Sequence, residues 1–97
     1  LLIDGFDWDA GNLTKCQKHG VPIEEIESLF FGRHQLAPDL KHSEGEARQL
    51  AIGRAASGRP LFVVFTMRQR DGRSMLRPIS ARYMHGKEIE RYEQTGS

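Results

Sequence analysis

Cysteine is almost missing from this 97-residue chain: Cys16 stands alone, so no internal disulfide can form. A lone thiol suits a reducing compartment. The sequence also shows no leader of charged, apolar and small residues and no apolar run of membrane length, so a cytoplasmic protein with no membrane partner is expected. The four His are scattered, with no His-x-x-x-His pair and no clustered Asp pattern, and neither a metal nor a cofactor is expected. A Gly-rich phosphate loop and a Gly-x-Ser-x-Gly elbow are absent too. Without repeats, low-complexity stretches or a second domain, residues 1–97 read as one domain, large enough for a modest core without metal or disulfide support. The chain opens on Leu1 rather than Met, so a few native residues are expected ahead of it.

The formal net charge of +1 conceals an uneven distribution. Residues 1–48 carry nine acids and five Lys or Arg, whereas residues 49–97 carry four acids and nine Lys or Arg. Between positions 49 and 82 every basic residue is Arg, at positions 54, 59, 68, 70, 73, 77 and 82, and Asp71 is the only acid. The planar guanidinium fork grips phosphate at two points and keeps its charge when partly desolvated, so an Arg-studded sheet points to a polyanion. Such charges also keep exposed sheet surfaces soluble and block edge pairing.

The stretch Arg59–Arg68 is rich in β-branched and aromatic residues and too short for a helix. It reads as a central strand buried on both faces. Asp71-Gly72 then marks a hairpin turn into a strand over Ser74–Arg82, because both turn positions tolerate positive φ. Alternation puts Arg68 on a face with Thr66, Val64 and Phe62, and Arg82 on a face with Ser80, Pro78 and Leu76; the register decides whether the two faces coincide. Upstream, Leu2–Trp8 reads as a short edge strand. Asp9 is placed to cap a helix over Ala10–His19 that ends at Gly20, with Leu13 and Cys16 inward and Lys15 and Lys18 outward. Pro22 opens a second helix with Ile23, Ile26, Leu29 and Phe30 as its apolar stripe and Glu24, Glu25 and Glu27 near its positive end, and Gly32 ends it. Residues 33–47 lack periodicity and read as a polar loop. Arg48–Ala56 reads as a third strand, making an antiparallel meander of residues 48–83. Lys87–Glu93 forms a short helix with Ile89 and Tyr92 inward, marginal unless it docks.

Arg54, Arg68, Arg77 and Arg82 on adjacent strands, with Tyr83 and His85 just after, fit metal-free RNA cleavage. There the 2′-hydroxyl attacks the neighbouring phosphate, and cations stabilise the doubly charged phosphorane; one such donor is typically worth ~10²–10³ in rate. His42, Glu44, Tyr83 and His85 are the candidates for moving protons. A sheet of Arg and Tyr could equally bind RNA without cutting it.

The order Phe6-Asp7-Trp8-Asp9, Asn12, Lys15, Lys18-His19-Gly20-Val21, His42-Ser43-Glu44-Gly45-Glu46, Arg48, Ala51-Ile52-Gly53-Arg54, Pro78-Ile79-Ser80-Ala81-Arg82, Glu88 and Tyr92-Glu93 resembles the BrnT toxin family. The resemblance implies an α+β, RelE-like fold: two N-terminal helices packed on a small, mainly antiparallel sheet, with a C-terminal helix. It implies a ribonuclease toxin of a type II toxin-antitoxin system that slows translation and growth. The partner it implies is a BrnA-type antitoxin that also binds DNA. Carried over by position, it implicates His42, Glu44, Arg54, Arg68 and Arg82. Tyr83-Met84-His85 departs from members with another basic and a small residue there, and leaves the proton donor and acceptor open.

The expected site is therefore Arg68 and Arg82 on the scissile phosphate, with His42, Glu44 and His85 as proton-handling candidates and Arg54, Arg77, Tyr83 and Lys15 on neighbouring RNA. The competing expectation is a non-catalytic RNA- or protein-binding module of the same fold. A DNA-binding regulator acting alone is disfavoured, because no recognition helix carries the Arg cluster.

Overall fold

The computed structural model describes residues 2–39 and 46–94. The expectations placed on His42 and Glu44 lie outside them. Asp9 begins the first helix as the sequence suggests: its carboxylate accepts from the Gly11 and Asn12 amides while Asn12 Oδ1 accepts from the Asp9 amide, closing a capping box. The helix, α1 (Ala10–Gln17), buries Asn12 and Cys16, so the inward position given to Leu13 belongs more fully to Asn12. In α2 (Ile23–Phe31) the expected stripe holds, with Ile26, Leu29 and Phe30 buried. Asp71 and Gly72 both take positive φ, 52° and 76°, and close the hairpin between β4 (Pro60–Arg70) and β5 (Arg73–Tyr83).

The fold is α+β, with three helices and a five-stranded mixed sheet. Across the sheet the order is β1 (Gly5–Phe6), β5, β4, β3 (Gln49–Arg54) and β2 (His34–Pro38); β1 runs parallel to β5 and the other pairs are antiparallel. β2 corrects the loop reading of residues 33–47. It is an edge strand whose residues after His34 are exposed, so no apolar alternation marks it. Its close approach to β3 requires a glycine: a Cβ on Gly53 would lie 2.7 Å from Leu29 Cδ1 and 2.8 Å from the Arg33 carbonyl oxygen.

β4 is central, but it is not buried on both faces. Leu61, Val63 and Phe65 are fully buried against the layer of α1 and α2, with Phe30 edge-on to Phe65 at 5.2 Å between ring centroids. Phe62, Val64 and Arg68, on the other face, are only partly covered. That other face, called outer below, receives α3 (Gly86–Gln94) at one end through the buried Tyr92. No described helix is long and apolar enough to cross a membrane.

Candidate RNA-binding face

Arg77 and Arg82 are five positions apart, and in a regular strand they would project to opposite faces. β5 is irregular between them. Val64 pairs with Ser80 while Phe65 pairs with Pro78, so Ile79 is an extra, unpaired residue. Beyond that shift Thr66 faces Arg77 and Phe62 faces Arg82, which brings both arginines to the outer face with Arg68. The set expected around Arg82 is corrected accordingly: Ser80 stays with it, whereas Pro78 and Leu76 are fully buried on the helical side. Pro78 is tolerated within a paired strand because it sits at the irregularity.

The outer-face arginines fall into two groups. Arg82 stands opposite Phe62, six residues along β4 from Arg68, a separation of about 20 Å at strand rise. Arg68 and Arg77 are diagonal neighbours and line one hollow of about 290 Å³ with Lys15, Arg48, Glu46 and Ile79. A second hollow, of about 300 Å³, shares Lys15, Arg48 and Ile79 and continues over Ser80 and Val64 towards Lys18, His19 and Asp39. The structure thus joins Lys15, Arg68 and Arg77 and leaves Arg82 and Arg54 at the end occupied by α3.

Each of these arginines meets a carboxylate. Arg68 Nε and Nη2 donate to the two oxygens of Glu46 at 3.2 and 3.1 Å. Arg77 donates to both oxygens of Asp9 at 2.9 and 3.1 Å, and Arg54 reaches Glu93 at 2.9 Å. Arg82 forms a two-point pair with Glu88, 2.7 Å on each side, and its guanidinium lies 4.5 Å from the Phe62 ring centroid. The Arg77 hydrogen bonds hold the Asp9 carboxyl at about 2, and those from Arg82 and the His85 amide do the same for Glu88. Hydrogen bonding to Arg68 holds the Glu46 carboxyl below the usual range. Pairs as exposed as Arg68 with Glu46, at 38% and 44%, are worth about 0–1 kcal/mol, so an incoming phosphate could replace the carboxylate at little cost.

Tyr83 is not part of this face. It pairs with Leu61 on the helical side, where its hydroxyl donates to Glu25 and Arg59 stacks 3.4 Å from its ring centroid. Burial, then the bond to Glu25, pushes its phenol up. Adjacency to Arg82 in a strand was the signal for this opposite orientation. His85 is exposed ahead of α3, its amide donating to Glu88 at 2.9 Å. Arg48 and Glu46 were not assigned from sequence, because their place in the hollow depends on a non-local tether: Thr66 Oγ1 donates to the Ala47 carbonyl at 2.7 Å. Among the described residues no group of three or more His, Cys, Asp or Glu is arranged to hold a metal ion.

No curated protein matches the chain significantly. A family model described as the ribonuclease toxin BrnT of a type II toxin-antitoxin system matches residues 8–88. That span contains α1, α2, every strand after β1, and the outer-face arginines with the Glu46 and Glu88 that pair with Arg68 and Arg82. A type II toxin of this kind has an RNA substrate and an antitoxin partner. With its basic sheet face carried inside the matched span, this chain belongs to the BrnT family of ribonuclease toxins.

Proposed function

We propose that this chain is a cytoplasmic, single-domain endoribonuclease toxin of RelE-like fold that cuts RNA without a metal ion, inhibits translation and growth, and is neutralised by a BrnA-type antitoxin. The observation that carries the proposal is the shift at Ile79, which gathers Arg68, Arg77 and Arg82 onto one face. A single-stranded RNA laid along this face would meet Arg68, Arg77 and Lys15 at one end and Arg82 and Arg54 at the other. Phosphates separated by intervening nucleotides then engage the two groups, with the phosphorane forming beside the guanidinium donors of one of them. His42, Glu44 and His85 remain the proton-handling candidates from the sequence. Tyr83, on the helical side, would support Arg59 and α2 instead of RNA.

Purified protein incubated with single-stranded RNA in EDTA should give discrete cleavage products. A strict requirement for a divalent ion would defeat the metal-free chemistry, and undiminished growth arrest by Arg68→Ala and Arg82→Ala together would defeat the site.

One observation favours the second reading, a binding module that does not cut: Arg54, Arg68, Arg77 and Arg82 are all ion-paired. That reading predicts tight, salt-sensitive RNA or antitoxin binding and no products.

A further inference from the structure

We propose that Glu46 is the proton acceptor of the cleavage reaction, taking the 2′-hydroxyl proton of the nucleotide whose phosphate lies against Arg68 and Arg77. The inference rests on the ribonuclease reading and adds to it a residue and a step. A carboxylate serving this role needs cations for the phosphate within reach, a fixed orientation and access to solvent. Glu46 has all three. It shares its hollow with Lys15, Arg48, Arg68 and Arg77. Arg68 holds both its oxygens, and the neighbouring Ala47 carbonyl is tied to Thr66 on the sheet. Its side chain is nevertheless 44% exposed.

Of the other carboxylates bordering this face, Asp39 is buried in the second hollow, away from Arg68 and Arg77, and the rest have structural duties. Asp9 caps α1 and grips Arg77. Asp7 pairs with Arg70, and Glu88 accepts from both Arg82 and the His85 amide. Glu93 lies at the far end with Arg54. When RNA enters, its phosphate takes over the Arg68 fork. Glu46 is then left ionised beside the ribose, as general base catalysis requires.

In the step itself the 2′-oxygen gives its proton to Glu46 and forms the new bond to phosphorus. The bond from phosphorus to the 5′-oxygen breaks, and that oxygen leaves with the electron pair and is protonated from water or a neighbouring acid. The products are a 2′,3′-cyclic phosphate and a 5′-hydroxyl end, and no oxidant, reductant or metal is consumed.

The test compares wild type, Glu46→Gln, Glu46→Asp and Glu44→Gln in single-turnover cleavage of one RNA with EDTA present, alongside RNA affinity and thermal melting. Glu46→Gln should lower the rate about 100-fold while RNA affinity holds or tightens, since a negative charge leaves a phosphate site. Its rate should lose the acid-side pH dependence expected of wild type, in which Glu46 faces Lys15, Arg48, Arg68 and Arg77, with Asp9 and Asp7 on the far side of Arg77, and Glu46→Asp should recover part of the rate. A Glu46→Gln rate equal to wild type overturns the assignment, as does a loss of rate matched by a loss of RNA affinity or of melting temperature. So does a loss confined to Glu44→Gln, which moves the step to that residue. If wild type cuts nothing, the ribonuclease reading falls first and the assignment with it.

Discussion

Arg82 and Glu88 hold each other by two parallel hydrogen bonds of 2.7 Å, Nη1 to Oε1 and Nη2 to Oε2. Glu88 sits in the first turn of α3 and also accepts from the His85 amide, so one carboxylate both starts the helix and fastens it to the sheet. RNA that is to reach Arg82 must compete with it. Glu88→Gln should therefore tighten RNA binding several-fold while loosening α3. Arg82→Ala should weaken binding for every sequence and reduce the slope of log affinity against log salt by about 0.7, the value for one phosphate contact on a single strand. Affinities measured over a salt series check both, and an unchanged slope for Arg82→Ala would remove it from the RNA path.

Asn12 should be the most sensitive polar position in α1. Its Nδ2 donates to the Asp7 and Pro78 carbonyls at 2.9 and 2.8 Å, bridging α1 to the edge of β5 past the end of β1, and its Oδ1 completes the cap with Asp9. Asn12→Ala leaves the buried contact to Pro78 unmade and should cost about 1–3 kcal/mol, read as a lower denaturation midpoint. Asn12→Asp should fare no better, because a carboxylate cannot donate to either carbonyl.

Stability should fall in acid through identifiable groups. Asp9 and Glu88 are both held at about 2 in the folded chain, against ordinary values of 3.8 and 4.5. Their contribution is complete above the unfolded values and disappears as pH drops through the folded ones, so melting temperature should decline from about pH 4.5 down to about pH 2. Glu46 and Glu25, also lowered, act in the same direction. Melting curves recorded at each pH check this, and Glu88→Gln should flatten part of the decline.

Gly53→Ala tests the β2 edge. The added methyl would meet the Leu29 side chain and the Arg33 backbone at distances no packed carbon keeps, so a loss of about 1–3 kcal/mol is expected. A variant as stable as wild type would mean that β3 does not lie so close to α2 and to the chain entering β2.

Much of the local structure could be read from the sequence, because its causes are local. Asp9 caps its own helix, Asp71-Gly72 turns its own hairpin, and the stripe of Ile26, Leu29 and Phe30 repeats within one element. β2 escaped because an exposed edge strand has no buried face to impose a pattern. The site was legible as a set of arginines but not as an arrangement. Pro78 beside Ile79 is the one local hint of the shift that joins Arg77 to Arg82, and the partners Glu46, Asp9 and Glu88 are set by contacts up to 68 positions away. Tyr83 could have been separated from Arg82 by strand parity alone.

The unpaired Ile79 ties the odd spacing of Arg77 and Arg82 to a single irregularity in the ladder. Deleting that isoleucine would leave an unbroken strand in which Val64 still faces Ser80 and Phe62 still faces Arg82, so both residues would keep their side of the sheet. Flattening the irregularity with every residue kept would do the reverse, turning Arg82 and Ser80 beneath the helices and Ala81 outward with no change to any charged residue.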